Sequence, residues 1–145
     1  MVQIRDVSRQ QREIQRAAQL LKAGELVAFP TETVYGIGAL GLNVEAVERL
    51  YSAKNRPAGK AFSLQVANVN MIQQIAAYVP LMARKLLEKF APGPITVVLP
   101  KAAQVPELVT GGRDTVGIRI PDNPVALAVL QAVGAPLAVP SANIS

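Results

Sequence analysis

A chain of 145 residues, 50% hydrophobic and 17% charged, has the length of one domain and too apolar a composition for a disordered segment. Histidine and cysteine are both absent, which excludes the usual zinc ligand sets, a Ser-His pair and a thiolate nucleophile. The net charge of +5 favours an anionic ligand such as a nucleotide, or RNA, and carries no information about fold.

In chain order, Ser8 and Gln11 form an S-x-x-Q capping box that predicts a first helix. Ile14, Ala17, Ala18 and Leu21 recur along it at helical spacing, and Gly24 suits its C-terminal end. Leu26–Phe29 reads as a short buried strand. Next, “GIGALG” at Gly36–Gly41 matches G-x-G-x-x-G. A dinucleotide site needs that turn to open directly into a helix, with an acidic residue about 20 positions on. Here the helix begins only at Asn43, its N-cap, and the position in question is Ala61. The segment therefore reads as a glycine-rich crossing from strand to helix. The second helix carries Val44, Val47, Leu50 and Tyr51 on one face and ends near Lys54, ahead of the Arg56-Pro57 step.

Phe62, Leu64 and Val66 alternate with Ser63 and Gln65, which predicts a half-buried strand. Asn70 is the expected cap of a helix reaching Tyr78, and another helix spans Pro80–Phe90. Ile95–Pro100 and Thr115–Ile120 read as strands in a hairpin-like stretch. A helix at Val125–Val133 and a short strand at Pro136–Pro140 follow. Interleaved helices and strands predict a single α/β domain with a mixed sheet. The apolar runs stop short of 18 residues, and “MVQIRDVSRQ” lacks a signal-peptide core. With no cysteine, a cytoplasmic setting without membrane attachment is expected.

Without His or Cys, catalysis has to rest on carboxylates, Lys, Arg, hydroxyls, backbone amides or an oxygen-ligated metal. Lys54, Arg56 and Lys60 cluster in “SAKNRPAGK”, on a stretch shaped by Pro57 and Gly59. Such a loop suits a triphosphate, each charge-assisted hydrogen bond contributing about 1.5–3 kcal/mol. It also suits a solvated helix end, where cations offset the negative pole of the dipole. In “DTVGIRI”, Val116, Ile118 and Ile120 share one face, and Thr115, Gly117 and Arg119 the other. An arginine in mid-strand beside a glycine suggests room for a carboxylate or phosphate. Ser141 and Asn143 follow the last strand, as Thr31 and Thr33 follow the first. Polar groups thus collect at strand ends, where α/β proteins bind ligands. Arg9, Arg12 and Arg16 form a basic stripe on the first helix, either a solvated face or an RNA contact.

Five blocks, “FPTETVYGIG”, “AKNRP”, “FAPGPITVVLPK”, “DTVGIRIPDNP” and “PLAVPSAN”, occur in the order and spacing of the YrdC-like family. From about Gly24 onward the chain resembles the threonylcarbamoyl-adenylate synthases of that family. Its K-x-R and S-x-N signature is met by Lys54/Arg56 and Ser141/Asn143. The resemblance implies a twisted mixed parallel/antiparallel sheet flanked by helices, over residues 1–145, with the domain cut short at its C-terminal end. It implies a nucleotidyltransferase that joins L-threonine, bicarbonate and ATP into threonylcarbamoyl-AMP and pyrophosphate, with Mg²⁺, for tRNA modification. The partners it implies are tRNA and the downstream threonylcarbamoyl-transferase machinery. It assigns Thr33, Gln65, Arg119 and Val139 to L-threonine. Lys54, Arg56, Lys60, Thr115, Ser141 and Asn143 fall to ATP, with Arg56 on the α-phosphate and Lys54 on the leaving pyrophosphate as the catalytic pair. An RNA-binding module and a relative that binds or hydrolyses the adenylate are the alternatives. Many members carry Asn-Pro-Leu and then His where this chain has Lys60-Ala61-Phe62 and Gln65. Glutamine hydrogen-bonds without titrating, so no proton transfer is expected of Gln65.

Overall fold

The computed structural model describes residues 10–30, 35–57 and 59–140. Helix α1 (Gln10–Lys22) buries Ala17, Ala18 and Leu21, as their spacing requires, while Ser8 lies outside the described residues. Strand β1 (Val27–Pro30) leads to β2 (Tyr35–Leu40), and the two pair antiparallel with Val27 opposite Gly38 and Phe29 opposite Gly36. This corrects the crossing expected at Gly36–Gly41, most of which is strand. Glycine serves there by occupying no space. A Cβ on Gly38 would stand 2.7 Å from Cε1 of the fully buried Phe29 ring.

Helix α2 (Val44–Lys54) starts where expected, with the Asn43 Oδ1 accepting from the Ala46 amide at 3.1 Å. Its buried stripe is Ala46, Val47, Leu50 and Lys54, and Val44 is 49% exposed rather than on that face. Strand β3 is only Leu64–Gln65, yet it pairs on both sides, with β6 (Leu137–Ala138) antiparallel and β5 (Thr115–Arg119) parallel. Leu64 and Gln65 are both buried in this central position, against the half-buried strand that alternation predicts. Asn68 and not Asn70 is the next cap, accepting from the Met71 amide at 2.9 Å, and what it starts is a 3-10 helix, Val69–Gln74.

Helix α3 (Leu81–Phe90) precedes β4 (Val97–Pro100), which pairs antiparallel with β5. The connection between them is no tight hairpin. It holds a short helix, α4 (Glu107–Thr110), that periodicity does not signal. Helix α5 (Pro124–Val133) is capped by Asn123, whose Oδ1 takes the Val125 and Ala126 amides. The sheet order is β1-β2-β6-β3-β5-β4, with one parallel pair, β3 and β5, confirming the mixed α/β sheet. Leu64 and Ile118, opposite each other on β3 and β5, are fully buried, and so is Leu137 of β6, which lies opposite Gln65. Each contributes about 1.5–3 kcal/mol by leaving water. Helices α1 and α5 pack on each other, and α2 packs on β2 and α4. Among the described residues no helix is long and apolar enough to cross a membrane.

Candidate active site

The end of α2 builds the first wall. Asn55 takes a left-handed conformation (φ 52°), and the chain turns so that the Arg56 amide donates to the Tyr51 carbonyl at 3.0 Å. The Arg56 side chain then folds over its own loop. Nε donates to the Lys60 carbonyl at 3.1 Å and Nη2 to the Ala61 carbonyl at 2.7 Å. Its guanidinium lies 4.0 Å above the centre of the Phe62 ring. The Tyr51 ring stands against Phe62 at 4.8 Å and 68°. The loop is tied to α4 by the Phe62 amide, which donates to the Val109 carbonyl at 2.8 Å.

The second wall is the centre of the sheet. Gln65 lies opposite Arg119 in the parallel register, so the two occupy neighbouring positions at one end of β3 and β5. Arg119 Nε donates to the Gly93 carbonyl at 3.1 Å. Gly117, two residues before Arg119 on the same face, does not leave an empty space as its sequence suggests. A Cβ there would meet Ser63 Oγ at 3.0 Å and Thr96 Cγ2 at 3.3 Å. The glycine instead lets those two side chains settle onto the strand beside Arg119.

Between the walls is a pocket of about 260 Å³, lined by Arg56, Ala61, Phe62, Ser63, Gln65, Thr96, Arg119, Val139 and Pro140. Among the described residues this lining has two guanidinium groups and no carboxylate, which favours an anion. Gln65 is 7% exposed, and its Oε1 meets no hydrogen-bond donor among the described residues. A buried acceptor left that way is costly until a donor arrives. Lys54 is 2% exposed. Burial, reinforced by repulsion from Arg56 and Lys60, pulls its ammonium below the ordinary lysine range. Burial pushes the Tyr51 hydroxyl above its ordinary value, outweighing the opposite pull of Arg56.

Four expected site residues thus meet in one hollow: Arg56, Gln65, Arg119 and Val139. Lys54 is buried beside them and senses Arg56 and Lys60 without lining the pocket. Lys60 is exposed and reaches the site through its carbonyl. Thr115 is exposed at the far end of β5, paired with Pro100 of β4, about 13 Å along the strand from Arg119 at 3.3 Å per residue. Thr33, Ser141 and Asn143 lie outside the described residues. Sequence reasoning missed Tyr51, Phe62, Ser63 and Thr96 as site-builders. The available signal was Phe62 itself, an aromatic two residues after a run of cations.

Fold and pocket define a mixed-sheet α/β protein with a cationic hollow at the ends of its central strands. The chain belongs to the Sua5/YciO/YrdC family, whose model, described as “Telomere recombination”, matches residues 19–145. It is 45% identical over 133 residues to the threonylcarbamoyl-AMP synthase of Pyrococcus abyssi, covering 92% of this chain and 39% of that protein. It is 43% identical over 134 residues to the threonylcarbamoyl-AMP synthase of Bacillus subtilis, again covering 92% and 39%. The structure of P. abyssi Sua5 complexed with L-threonine superposes with a TM-score of 0.90 at 43% identity, covering 99% of this chain and 42% of that one. The chain therefore spans about two fifths of the length of these two relatives.

Proposed function

We propose that this chain carries the core of an L-threonylcarbamoyladenylate synthase site. The observation that supports it most is the single pocket shared by Arg56, Arg119 and the unpartnered Gln65 Oε1. An α-amino acid has a carboxylate and an ammonium or hydroxyl donor close together. Arg119 suits the carboxylate, and Gln65 Oε1 suits the donor. In this reading Thr33 and the Val139 backbone complete the threonine site. Lys54, Arg56, Lys60, Thr115, Ser141 and Asn143 hold ATP.

In the reaction, bicarbonate carboxylates the threonine amine to a carbamate and water leaves. A carbamate oxygen then bonds to the α-phosphorus of ATP as the bond from that phosphorus to pyrophosphate breaks. Both reactants are anions, so catalysis is positioning plus neutralisation of charge. Arg56, braced on Phe62, faces the α-phosphate. Lys54, its charge disfavoured by burial and by its cationic neighbours, gains most when the pyrophosphate anion arrives. In this reading Mg²⁺ would be held mainly by the phosphates of ATP and would offset their negative charge. The product passes to the machinery that modifies tRNA, in the cytoplasm.

The test is pyrophosphate release by the longer protein, which should require threonine and bicarbonate together. Release without either one contradicts the reading. Within it, Arg119→Ala should raise the KM for threonine on the order of 50-fold, the loss of charge-assisted hydrogen bonds to one carboxylate, and leave the KM for ATP within about twofold. Equal losses for both substrates would separate Arg119 from the threonine carboxylate.

A further inference from the structure

We infer that Tyr51 is a positioning residue for Arg56, acting through the Lys60 carbonyl and the Phe62 ring. This rests on reading the pocket as the site of nucleotide chemistry. The Tyr51 hydroxyl lies 2.7 Å from the Lys60 carbonyl and 2.8 Å from the Leu108 carbonyl. A phenol has one proton, so that proton is shared between two acceptors and the hydroxyl is fixed from both sides. The Lys60 oxygen is in turn shared. It accepts from Tyr51 at 2.7 Å and from Arg56 Nε at 3.1 Å, which occupies both of its lone pairs. The direction of that carbonyl, and with it the seat of the Arg56 fork, is therefore set by the tyrosine.

The ring does the second part. Phe62 is 4% exposed and held edge-to-face by Tyr51, and the Arg56 guanidinium lies over it. Two of the five N–H donors of Arg56 are spent on the loop. The side chain also lines the pocket. Flexible arginines lose rotamer freedom on binding an anion. One already clamped by two carbonyls and a ring has lost much of it beforehand. Through Leu108 the same hydroxyl joins this clamp to α4, so helix, loop and guanidinium form one rigid unit.

Tyr51→Phe removes the hydroxyl and keeps the ring. In the ¹⁵N-labelled 145-residue chain, the Arg56 Nε–H resonance should be shifted by the Phe62 ring current and exchange slowly with water. In Tyr51→Phe that exchange should quicken about tenfold, and the Kd for ATP should rise about tenfold, the size of one lost hydrogen bond. The Kd for threonine should stay within about twofold. Phe62→Leu removes the ring alone and should move the Arg56 resonance toward its position in free arginine. It serves the same test if Tyr51→Phe fails to fold. An Arg56 resonance unchanged in position and exchange overturns the inference. The resonance needs no ligand, so it decides the positioning claim even if the wild-type chain binds no ATP, a result that would count against the functional reading alone.

Discussion

Arg56→Ala should lower kcat/KM for ATP-dependent pyrophosphate release about 10³-fold, whereas Arg12→Ala should change it by less than about twofold. Both substitutions remove one positive charge from a chain of net charge +5. Their long-range electrostatic effects are therefore similar, and the difference isolates position. Arg12 is exposed on α1. Arg56 lines the pocket and is fixed by two hydrogen bonds and a ring. A donor held in place where negative charge develops is worth far more than a charge in solvent, because nothing must reorganise at the moment of reaction. Steady-state kinetics on the two variants checks this. Equal losses would mean that the charge, and not the geometry, binds the nucleotide.

Gly111→Ala is the structural counterpart. Gly111 ends α4 in the left-handed region (φ 63°), where alanine costs about 1–2 kcal/mol. Its Cα also presses on the loop that carries the cations, since an added Cβ would overlap the Gly59 carbonyl. Displacing that backbone adds about 1–3 kcal/mol. The neighbouring Gly112 separates the two effects: its φ is 82°, but nothing lies within 4 Å of a Cβ placed there. Gly112→Ala should thus lower the melting temperature by about 3–6 °C, and Gly111→Ala by about twice that. Only Gly111→Ala should also weaken nucleotide binding, because only it moves Gly59 and the Lys60 carbonyl that seats Arg56. Thermal melts paired with an ATP titration read both. Identical behaviour of the two variants would show that α4 does not brace the loop.

The parts of the site that rest on period-2 alternation or on side chains close in the chain were legible in the sequence. In β5 the alternation puts Arg119 on one face and Ile118 on the buried other, as the structure has it. The cation cluster was visible for the same reason. Contacts between distant segments were not legible. The stack of Arg56 on Phe62 depends on how the loop folds back, and the burial of Gln65 on which strands flank β3. The two-residue β3 and the four-residue α4 are too short to show a period. β2 was hidden by its glycines, which weaken a strand by propensity, although Gly38 is required here by the Phe29 ring. Thr115 shares a face with Arg119 but stands about 13 Å further along β5 at 3.3 Å per residue, outside the lining of the pocket.

A crystal structure of the chain with L-threonine and a non-hydrolysable ATP analogue tests the central claim most directly. The threonine carboxylate should lie about 3 Å from the Arg119 guanidinium, with the α-phosphate within hydrogen-bond reach of Arg56 in the same hollow. Nucleotide and amino acid bound in separate places, with neither touching the surface between Arg56 and Arg119, would contradict it.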